Sequence, residues 1–324
     1  MPRFPFVILF LLALTAAGAP TARAEDPAPI RIGHFPNISH VQALVAHALS
    51  RQKKGWFEAR LGPGTKIDWF IYNAGPSAME AIFADSIDLT YVGPSPAINT
   101  YSKANGEEIR IISGAADGGS ALVVQPDQPL HSPADFRGKR VGTPQLGNTQ
   151  DVAARAWLAQ GGLKITLTGG DASVLPTQNP DQLGLFQRKE LDAVWTVEPW
   201  VSRLELEAGG KILVDDSEAI TTVVVSSVKF LAAHRDLVDR FRTAEAELTQ
   251  WVLDHPDEAK ALVAEELKAE TGGEVKPELI AHAWPRIRLT NAVSRPGLDL
   301  FVTRAKDAGL LKTVPDLSKL VVEP

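Results

Sequence analysis

Apolar and polar positions along the chain repeat as a unit of strand, short polar loop and helix. Residues 30–33 alternate like a strand, the polar stretch 34–40 follows, and apolar positions then recur at helical spacing over 41–49. Strands over 66–72 and 87–92 begin two further units of the same kind. Strands and helices that alternate in this order predict an α/β fold with parallel strands flanked by helices.

The unit recurs in the middle of the chain. A strand over 140–142 leads through a polar, glycine-bearing loop into a helix over 151–160, and a strand over 191–196 enters a helix over 201–208. From residue 228 onward the pattern is mainly helical, with prolines between the helices. Because the carboxyl ends of parallel strands meet at one edge of a sheet, we expect the polar loops of these units to form a ligand site.

Residues 1–24 differ from the rest of the chain. Arg3 gives a positive start, residues 6–17 are an apolar run, and Ala22-Arg23-Ala24 matches a small-x-small cleavage site. The run is shorter than the ~20 apolar residues that a membrane span needs. The sequence therefore predicts a secretory signal peptide over 1–24, cleavage before Glu25, and a mature protein that is soluble outside the cytoplasm.

Composition, cysteine content and net charge exclude several classes of protein and of site. The 324 residues are 44% hydrophobic and 22% charged, which suits a soluble protein of two lobes. The chain has no cysteine, so disulfides, thiolate metal sites and a cysteine nucleophile are excluded. A formal net charge of −6 argues against general nucleic-acid binding. No nucleotide-binding glycine motif occurs, and no ligand spacing around His34 or His40 predicts a metal, so we expect neither a cofactor nor a metal ion.

Small hydrogen-bonding side chains lie at the predicted helix starts that follow strands. These side chains are Ser39, Ser77, Ser95, Asn148 and Thr149. Each alone is explained at least as well by helix capping as by ligand binding. Together, at one sheet edge, they and the free backbone N–H groups of the helix N-termini predict a site for a small anion. The predicted ligand-binding residues are Asn37, Ser39, Asn73, Gly75, Gly93, Ser95, Gly119, Thr143, Asn148, Thr149, Trp195, Glu198 and Trp200.

Trp195, Glu198 and Trp200 follow one predicted strand and allow two interpretations. The tryptophans can be packing residues, and Glu198 an acid favoured at a helix start. Alternatively, a tryptophan forms a cleft wall against an organic group, and Glu198 pairs with a ligand amine. The second interpretation predicts that an organic sulfonate binds more tightly than nitrate or sulfate. For His34 and His40, which flank the first loop, we expect at most a minor contact with a ligand.

Five ordered features carry a resemblance to a known family. They are the loop after Gly33, the turn Gly93-Pro94-Ser95-Pro96, the stretch 135–142, the helix start Gly147-Asn148-Thr149, and residues 192–195 running into Glu198-Pro199-Trp200. With these features the chain resembles the periplasmic solute-binding proteins of the sulfonate/nitrate/taurine family of ABC importers. The features span nearly the whole mature chain in the expected order.

The resemblance implies a two-lobed periplasmic binding protein fold of type II. Each lobe would be a mainly parallel sheet flanked by helices, and the chain would cross between the lobes twice. By this analogy lobe 1 comprises residues 30–116 and 226–324, and lobe 2 comprises residues 117–225. The ligand would bind in the cleft between the lobes, and hinge closure around it would follow.

The same resemblance implies a monomeric periplasmic component of an ABC importer that is not an enzyme. It would capture an aliphatic sulfonate or taurine and deliver this ligand to the permease in the inner membrane. Nitrate or another oxyanion is the alternative ligand. A serine hydrolase is the alternative from another class, because residues 93–97 partly match the G-x-S-x-G nucleophile elbow around Ser95.

Overall fold

The computed structural model describes residue 1 and residues 28–323. The predicted signal peptide, apart from Met1, lies outside the described residues and stays a prediction. None of the helices in the described part combines the length and the apolar character needed to cross a bilayer.

Strands and helices alternate through most of the described chain, in the order that the sequence predicts. The strands are β1 (Ile30–His34), β2 (Ile67–Ile71), β3 (Leu89–Val92), β4 (Ile109–Gly118), β5 (Ser120–Val124), β6 (Arg140–Thr143), β7 (Ile165–Thr166), β8 (Gly169–Gly170), β9 (Ser173–Pro176), β10 (Ala193–Val197), β11 (Lys211–Asp215), β12 (Ile220–Ser227) and β13 (Ile287–Leu289). The α-helices are α1 (Val41–Arg51), α2 (Trp56–Arg60), α3 (Gly75–Phe83), α4 (Pro94–Lys103), α5 (Thr149–Gln160), α6 (Asn179–Gln187), α7 (Trp200–Ala208), α8 (Val228–Ala233), α9 (Arg235–Asp254), α10 (Pro256–Thr271), α11 (Pro277–Ala283) and α12 (Arg295–Asp307).

Two sheets organise the fold, one in each lobe. The lobe 1 sheet has the strand order β13-β4-β12-β3-β1-β2, and the lobe 2 sheet has the order β11-β5-β10-β6-β9. β2, β1 and β3 run parallel, as do β9, β6 and β10. The strands that carry the chain between the lobes, β4, β5, β11 and β12, pair antiparallel with their neighbours. Both sheets are therefore mixed, and the predicted two-lobed α/β fold is confirmed.

The chain crosses between the lobes at two points. Gly118 and Gly119, with φ of +74° and +68°, join β4 to β5 in a conformation that glycine tolerates best. Residues 216–219 join β11 to β12. This second crossing corrects the predicted boundary at Val225, because residues 220–225 pair with β3 and β4 in the lobe 1 sheet. The sequence pattern identifies β12 as a strand but does not show which sheet it joins.

Each sheet buries apolar side chains beneath its helices. The buried residues of lobe 1 form two core clusters, which include Ile32, Leu44 and Phe241 in one and Ile98, Val225 and Phe301 in the other. The two clusters of lobe 2 include Phe136, Leu158 and Trp195 in one and Val123, Phe186 and Leu204 in the other. Apolar burial is the dominant favourable term in folding, so these cores hold the strand ends and their loops in place.

Candidate ligand-binding cleft

A pocket opens between the lobes at the carboxyl ends of the parallel strands. Most of its lining residues follow β1, β2 and β3 in lobe 1 or β6 and β9 in lobe 2, while Val197 ends β10 and Thr221 lies in β12. Its volume is about 350 Å³, including the part open to solvent. The predicted ligand-binding residues that line it are Asn37, Ser39, Asn73, Gly75, Gly93, Asn148 and Thr149. The structure thus brings polar loops of both lobes to one place, as expected at the carboxyl edge of such sheets.

Four of the described helices begin at this pocket. α3 begins at Gly75, α4 follows its N-cap Gly93, α5 follows its N-cap Asn148, and α6 begins at Asn179. The first backbone N–H groups of a helix have no partner within the helix, and the helix dipole makes this end positive. The four helix N-termini therefore create a positive pocket that is rich in hydrogen-bond donors.

The starts of α4 and α5 touch across the cleft. A Cβ atom built on Gly93 would lie 2.2 Å from Thr149 Oγ1 and 3.3 Å from Thr149 Cβ. Gly93 itself has φ −69° and ψ 154°, which any residue can adopt. Glycine is therefore required here by the close approach of the opposite lobe, and its own backbone conformation does not require it.

A buried ion pair holds the start of α5. The Asp151 carboxylate accepts hydrogen bonds from Gly147 N at 2.9 Å and from Arg155 Nε at 3.0 Å. The Asp151 N–H donates to Asn148 Oδ1 at 2.8 Å, so Asn148 caps the helix. The side chains of Asp151 and Arg155 are 0% and 2% exposed. This network ties the loop before Thr149 to the body of the helix.

Hydrogen bonds join the two lobes around the pocket. Asn37 Oδ1 accepts from Trp200 Nε1 at 2.9 Å and from Asn179 Nδ2 at 3.3 Å. Asn73 Nδ2 donates to Pro144 O at 3.3 Å. Loops of lobe 1 thus contact lobe 2 directly, which is a closed arrangement of the cleft.

The lining of the pocket is neutral. None of the described residues that line it is a lysine, arginine, aspartate or glutamate. His40 also lines the pocket, and burial, together with the nearby His34, holds the pKa of His40 well below its ordinary value. Thr149 Oγ1 is buried without a hydrogen-bond partner among the described residues. A buried polar atom without a partner is costly, so this hydroxyl is available to a ligand.

The structure overturns the predicted aromatic wall. Trp195 is 1% exposed and packs in the lobe 2 core, where its Nε1 donates to Ser120 Oγ at 3.2 Å. Trp200 is buried and lines a separate cavity together with Pro36 and Arg203. Neither ring lines the ligand pocket. Packing, the other interpretation of these tryptophans, therefore explains both.

Glu198 also has a partner within the protein. Its carboxylate is fully buried and accepts hydrogen bonds from Arg286 Nη1 at 2.9 Å and from Ser202 N at 3.1 Å. Burial raises the pKa of Glu198, while the hydrogen bonds from Ser202 and the charge of Arg286 oppose that rise. Because Arg286 already supplies the partner cation, Glu198 is not placed to pair with a ligand amine.

Three further predicted residues lie near the pocket without lining it. Thr143 is fully buried, and its Oγ1 donates to Asp151 at 3.3 Å beneath the start of α5. Ser95 lies in the first turn of α4 and lines a neighbouring cavity. Gly119 belongs to the first crossing between the lobes. These residues support the pocket-lining loops and do not form the pocket wall.

Sequence reasoning missed several pocket residues. Phe35, Gln150 and Asn179 line the pocket but are absent from the predicted set. Asn179 follows β9 at the start of α6, so the rule that selected Asn148 would also have found it. His34, for which a minor ligand contact was conceivable, makes its contacts inside lobe 1.

Comparisons with known proteins agree with this fold. A Bacillus subtilis (strain 168) protein named "Putative aliphatic sulfonates-binding protein" is 28% identical over 268 residues, which are 80% of this chain and 75% of that protein. The alkanesulfonate-binding protein SsuA from Xanthomonas axonopodis pv. citri, solved bound to MOPS, matches 92% of this chain and 99% of its own with a TM-score of 0.73 and 20% identity.

The periplasmic nitrate-binding protein NrtA from Synechocystis PCC 6803 also shares the fold, with a TM-score of 0.70 and 13% identity over 88% of this chain and 82% of its own. At such identities the solved structures show the fold alone. The resemblance seen in the sequence is confirmed by these relatives taken together. The model of the NMT1-like family matches residues 23–268, more than half of the chain, and the chain therefore belongs to the NMT1-like family.

Proposed function

We propose that this protein is the periplasmic ligand-binding component of an ABC importer and captures a small organic anion, an aliphatic sulfonate or taurine. Its partner is then a permease in the inner membrane, and it acts as a monomer after removal of residues 1–24. The names of its sulfonate- and taurine-binding relatives support this assignment. The proposal assigns it no catalytic role.

The observation that carries the proposal is the convergence of four helix N-termini on a neutral pocket. Hydroxyl, amide and backbone N–H donors bind a permanently ionised oxyanion without needing a counter-charge. A sulfonate stays ionised at any physiological pH and offers three acceptor oxygens. Ser39 from lobe 1 and Thr149 from lobe 2 line the same pocket, so both lobes can contribute donors.

Apolar side chains in the pocket favour an organic anion over an inorganic one. Phe35, Pro96 and Val197 line the pocket together with the polar groups. A carbon group gains affinity when it leaves water against such a surface, and these residues take the place of the predicted tryptophan wall. Nitrate is the second candidate, because a nitrate-binding protein shares the fold and planar nitrate needs donors only.

Titration calorimetry with taurine, an alkylsulfonate, nitrate and sulfate tests the ligand class. We expect a sulfonate to bind most tightly. Thr149→Val removes Oγ1 at nearly constant shape and should weaken sulfonate binding by roughly 1.5–3 kcal/mol, the usual worth of a hydrogen bond to a charged group. The matched control is Thr222→Val, because Thr222 Oγ1 is also buried and unpaired in the described chain but lies outside the pocket. Tightest binding of nitrate would favour the second candidate, and binding of none of these anions would refute the proposal.

Closure of the cleft should depend on Gly93. In the closed arrangement the methyl group of Gly93→Ala would overlap Thr149, whereas separated lobes would tolerate it. We expect sulfonate affinity to fall by roughly 1–3 kcal/mol, the usual cost of overpacking, with a much smaller change in the free energy of unfolding. Calorimetry and denaturant unfolding measure the two quantities. In a Thr149→Ala background, which lacks the Oγ1 that the new methyl group would overlap, Gly93→Ala should cost less sulfonate affinity than it costs in the parent. Parent-like affinity of Gly93→Ala alone would show that the lobes need not approach this closely.

A serine hydrolase, the alternative from another class, gains no support from the geometry. A nucleophilic serine needs a base within hydrogen-bonding reach. Ser95 Oγ is buried and has no hydrogen-bond partner among the described residues, and no histidine is among the described residues that line its cavity. Packing in the first turn of α4 accounts for Ser95.

A further inference from the structure

Two histidines and two glutamates form a cluster inside lobe 1, at the start of the loop that enters the ligand pocket. His34 ends β1, His47 lies on α1, and Glu266 and Glu270 lie four positions apart on one face of α10. The side chains of His34, Glu266 and Glu270 are fully buried, and that of His47 is 9% exposed. Buried charged side chains are rare unless something compensates them, so the cluster needs an explanation.

Three atoms of the cluster lie within about 3 Å of one another. His34 Nε2 lies 3.1 Å from His47 Nδ1 and 3.0 Å from Glu270 Oε1, and His47 Nδ1 lies 3.1 Å from Glu270 Oε1. The three atoms therefore form a nearly equilateral triangle. An ion about 1 Å out of its plane would be about 2.0–2.1 Å from each atom, the usual length of Zn–N and Zn–O bonds.

Hydrogen bonds within the triangle leave one unfavourable contact whichever ring nitrogens carry the protons. If both ring nitrogens carry protons, two N–H groups of like polarity face each other at 3.1 Å. If only one of the two ring nitrogens carries a proton, the lone pair of the other nitrogen faces the Glu270 carboxylate oxygen. Glu270 Oε2 and His34 Nδ1 are also buried without hydrogen-bond partners in the described chain. A cation at the centre resolves the conflict, because all three atoms can then direct lone pairs at it.

We propose that His34, His47 and Glu270 bind a divalent transition-metal ion, with Zn²⁺ as the best fit. Two imidazoles and a carboxylate are a ligand set that Zn²⁺ takes, whereas Mg²⁺ and Ca²⁺ prefer oxygen ligands only. Glu266 Oε1 lies 2.8 Å from His47 Nδ1, and Arg51 Nε contacts Glu266 at 2.9 Å. Local spacing in the sequence does not indicate this site, because Glu270 lies 223 positions after His47 in the chain.

The ion stabilises the framework of the ligand pocket without belonging to it. It ties α1 and α10 to the end of β1, and the loop after β1 carries the pocket residues Asn37 and Ser39. Trp69 stacks on His47 with ring centroids 5.1 Å apart and meets His34 edge-on at 5.4 Å. Trp69 is one of seven tryptophans in the chain, so the fluorescence change that is present in the parent and absent from Trp69→Phe is a local reporter of the ion.

The test uses the chain purified without a histidine tag and stripped with a chelator. Zn²⁺ added alone should bind with one-to-one stoichiometry, raise the melting temperature by several degrees and change the fluorescence of Trp69. His47→Ala and Glu270→Gln should each lower Zn²⁺ affinity more than ~100-fold, since loss of an outer-shell partner already costs about 10–100-fold. The matched controls, His131→Ala and Glu265→Gln, change exposed residues outside the cluster and should bind Zn²⁺ like the parent.

Co²⁺ provides a measurement that needs no variant. In the parent protein it should give the visible absorption bands of a four-coordinate nitrogen–oxygen site, and added Zn²⁺ should remove them. This result supports the proposal even if the ligand variants fail to fold. A parent that binds no Zn²⁺, that holds Co²⁺ only in six-coordinate form, or that binds Zn²⁺ no more tightly than His47→Ala overturns it.

Discussion

Replacing Arg155 by methionine should lower the free energy of unfolding by about 3–5 kcal/mol, the usual cost of removing one partner from a buried ion pair. Arg155 Nε lies 3.0 Å from both carboxylate oxygens of Asp151, and Nη1 donates to Thr166 O at 2.8 Å. Methionine replaces much of the apolar stem but leaves the Asp151 charge buried and without its cation. Denaturant unfolding of the variant and the parent measures the difference.

The matched control for this prediction is Arg203→Met. Arg203 also pairs with an acid four positions away, Glu207 at 3.1 Å, but both side chains are partly exposed, at 31% and 43%. Such exposed pairs contribute about 0.3–0.5 kcal/mol. If Arg155→Met costs no more than Arg203→Met, burial does not make the Asp151 pair important. Because Asp151 also holds the loop before Thr149, we expect Arg155→Met to weaken ligand binding as well, which calorimetry can show.

The contribution of Glu245 to stability should fall as the pH rises from ~4.5 to ~8. Glu245 on α9 is 0% exposed, and Tyr91 Oη donates to its Oε2 at 2.6 Å. Burial raises the pKa of Glu245 to about 8, and the hydrogen bond from Tyr91 opposes this rise only in part. Between the two pKa values the folded protein holds a proton that the unfolded chain releases, so raising the pH favours unfolding.

The variant Glu245→Gln isolates this effect. Glutamine keeps an acceptor for Tyr91 and has no proton to release. The slope of unfolding free energy against pH should therefore be more positive in Glu245→Gln than in the parent, by up to ~1.4 kcal/mol per pH unit. Urea unfolding at several pH values between ~5 and ~8 measures the slope, and other titrating groups cancel in the comparison. Glu247→Gln, an exposed change on the same helix that removes the pair with Arg60, should keep the parental slope. Equal slopes for Glu245→Gln and the parent would show that Glu245 is ionised in the folded protein.

The order of strands and helices could be predicted from the sequence, but the helix starts could be predicted only to within a residue or two. Ser95 fits the pattern of an N-cap, yet α4 begins at Pro94, because proline is favoured in the first helical position. Ser77 likewise falls inside the first turn of α3, where its Oγ donates to Gln145 Oε1 across the cleft at 3.2 Å. Among the predicted N-cap residues at the pocket, Asn148 alone caps its helix with its side chain.

The direction of the tryptophan side chains could not be predicted. Successive residues of a strand point to opposite faces, so a one-residue change in register decides whether Trp195 meets the core or the cleft. Its register, opposite Leu122 of β5, places it in the lobe 2 core. The cluster around His34 was missed for a similar reason, because its partner Glu270 lies on α10, and local spacing carries no information about packing between distant elements.

β12 lies between β3 and β4 in the lobe 1 sheet, although the chain reaches it only after every strand of the lobe 2 sheet. A growing polypeptide that ends at Asp215 already holds all the strands of lobe 2, while β3 and β4 still lack their shared neighbour. Unpaired strand edges are templates for association with other chains. Lobe 2, whose strands lie between the two parts of lobe 1 in the chain, can therefore complete its sheet first as the chain emerges from its N-terminal end. A translation product that stops before Ile220 would join a finished lobe 2 to an aggregation-prone remnant of lobe 1.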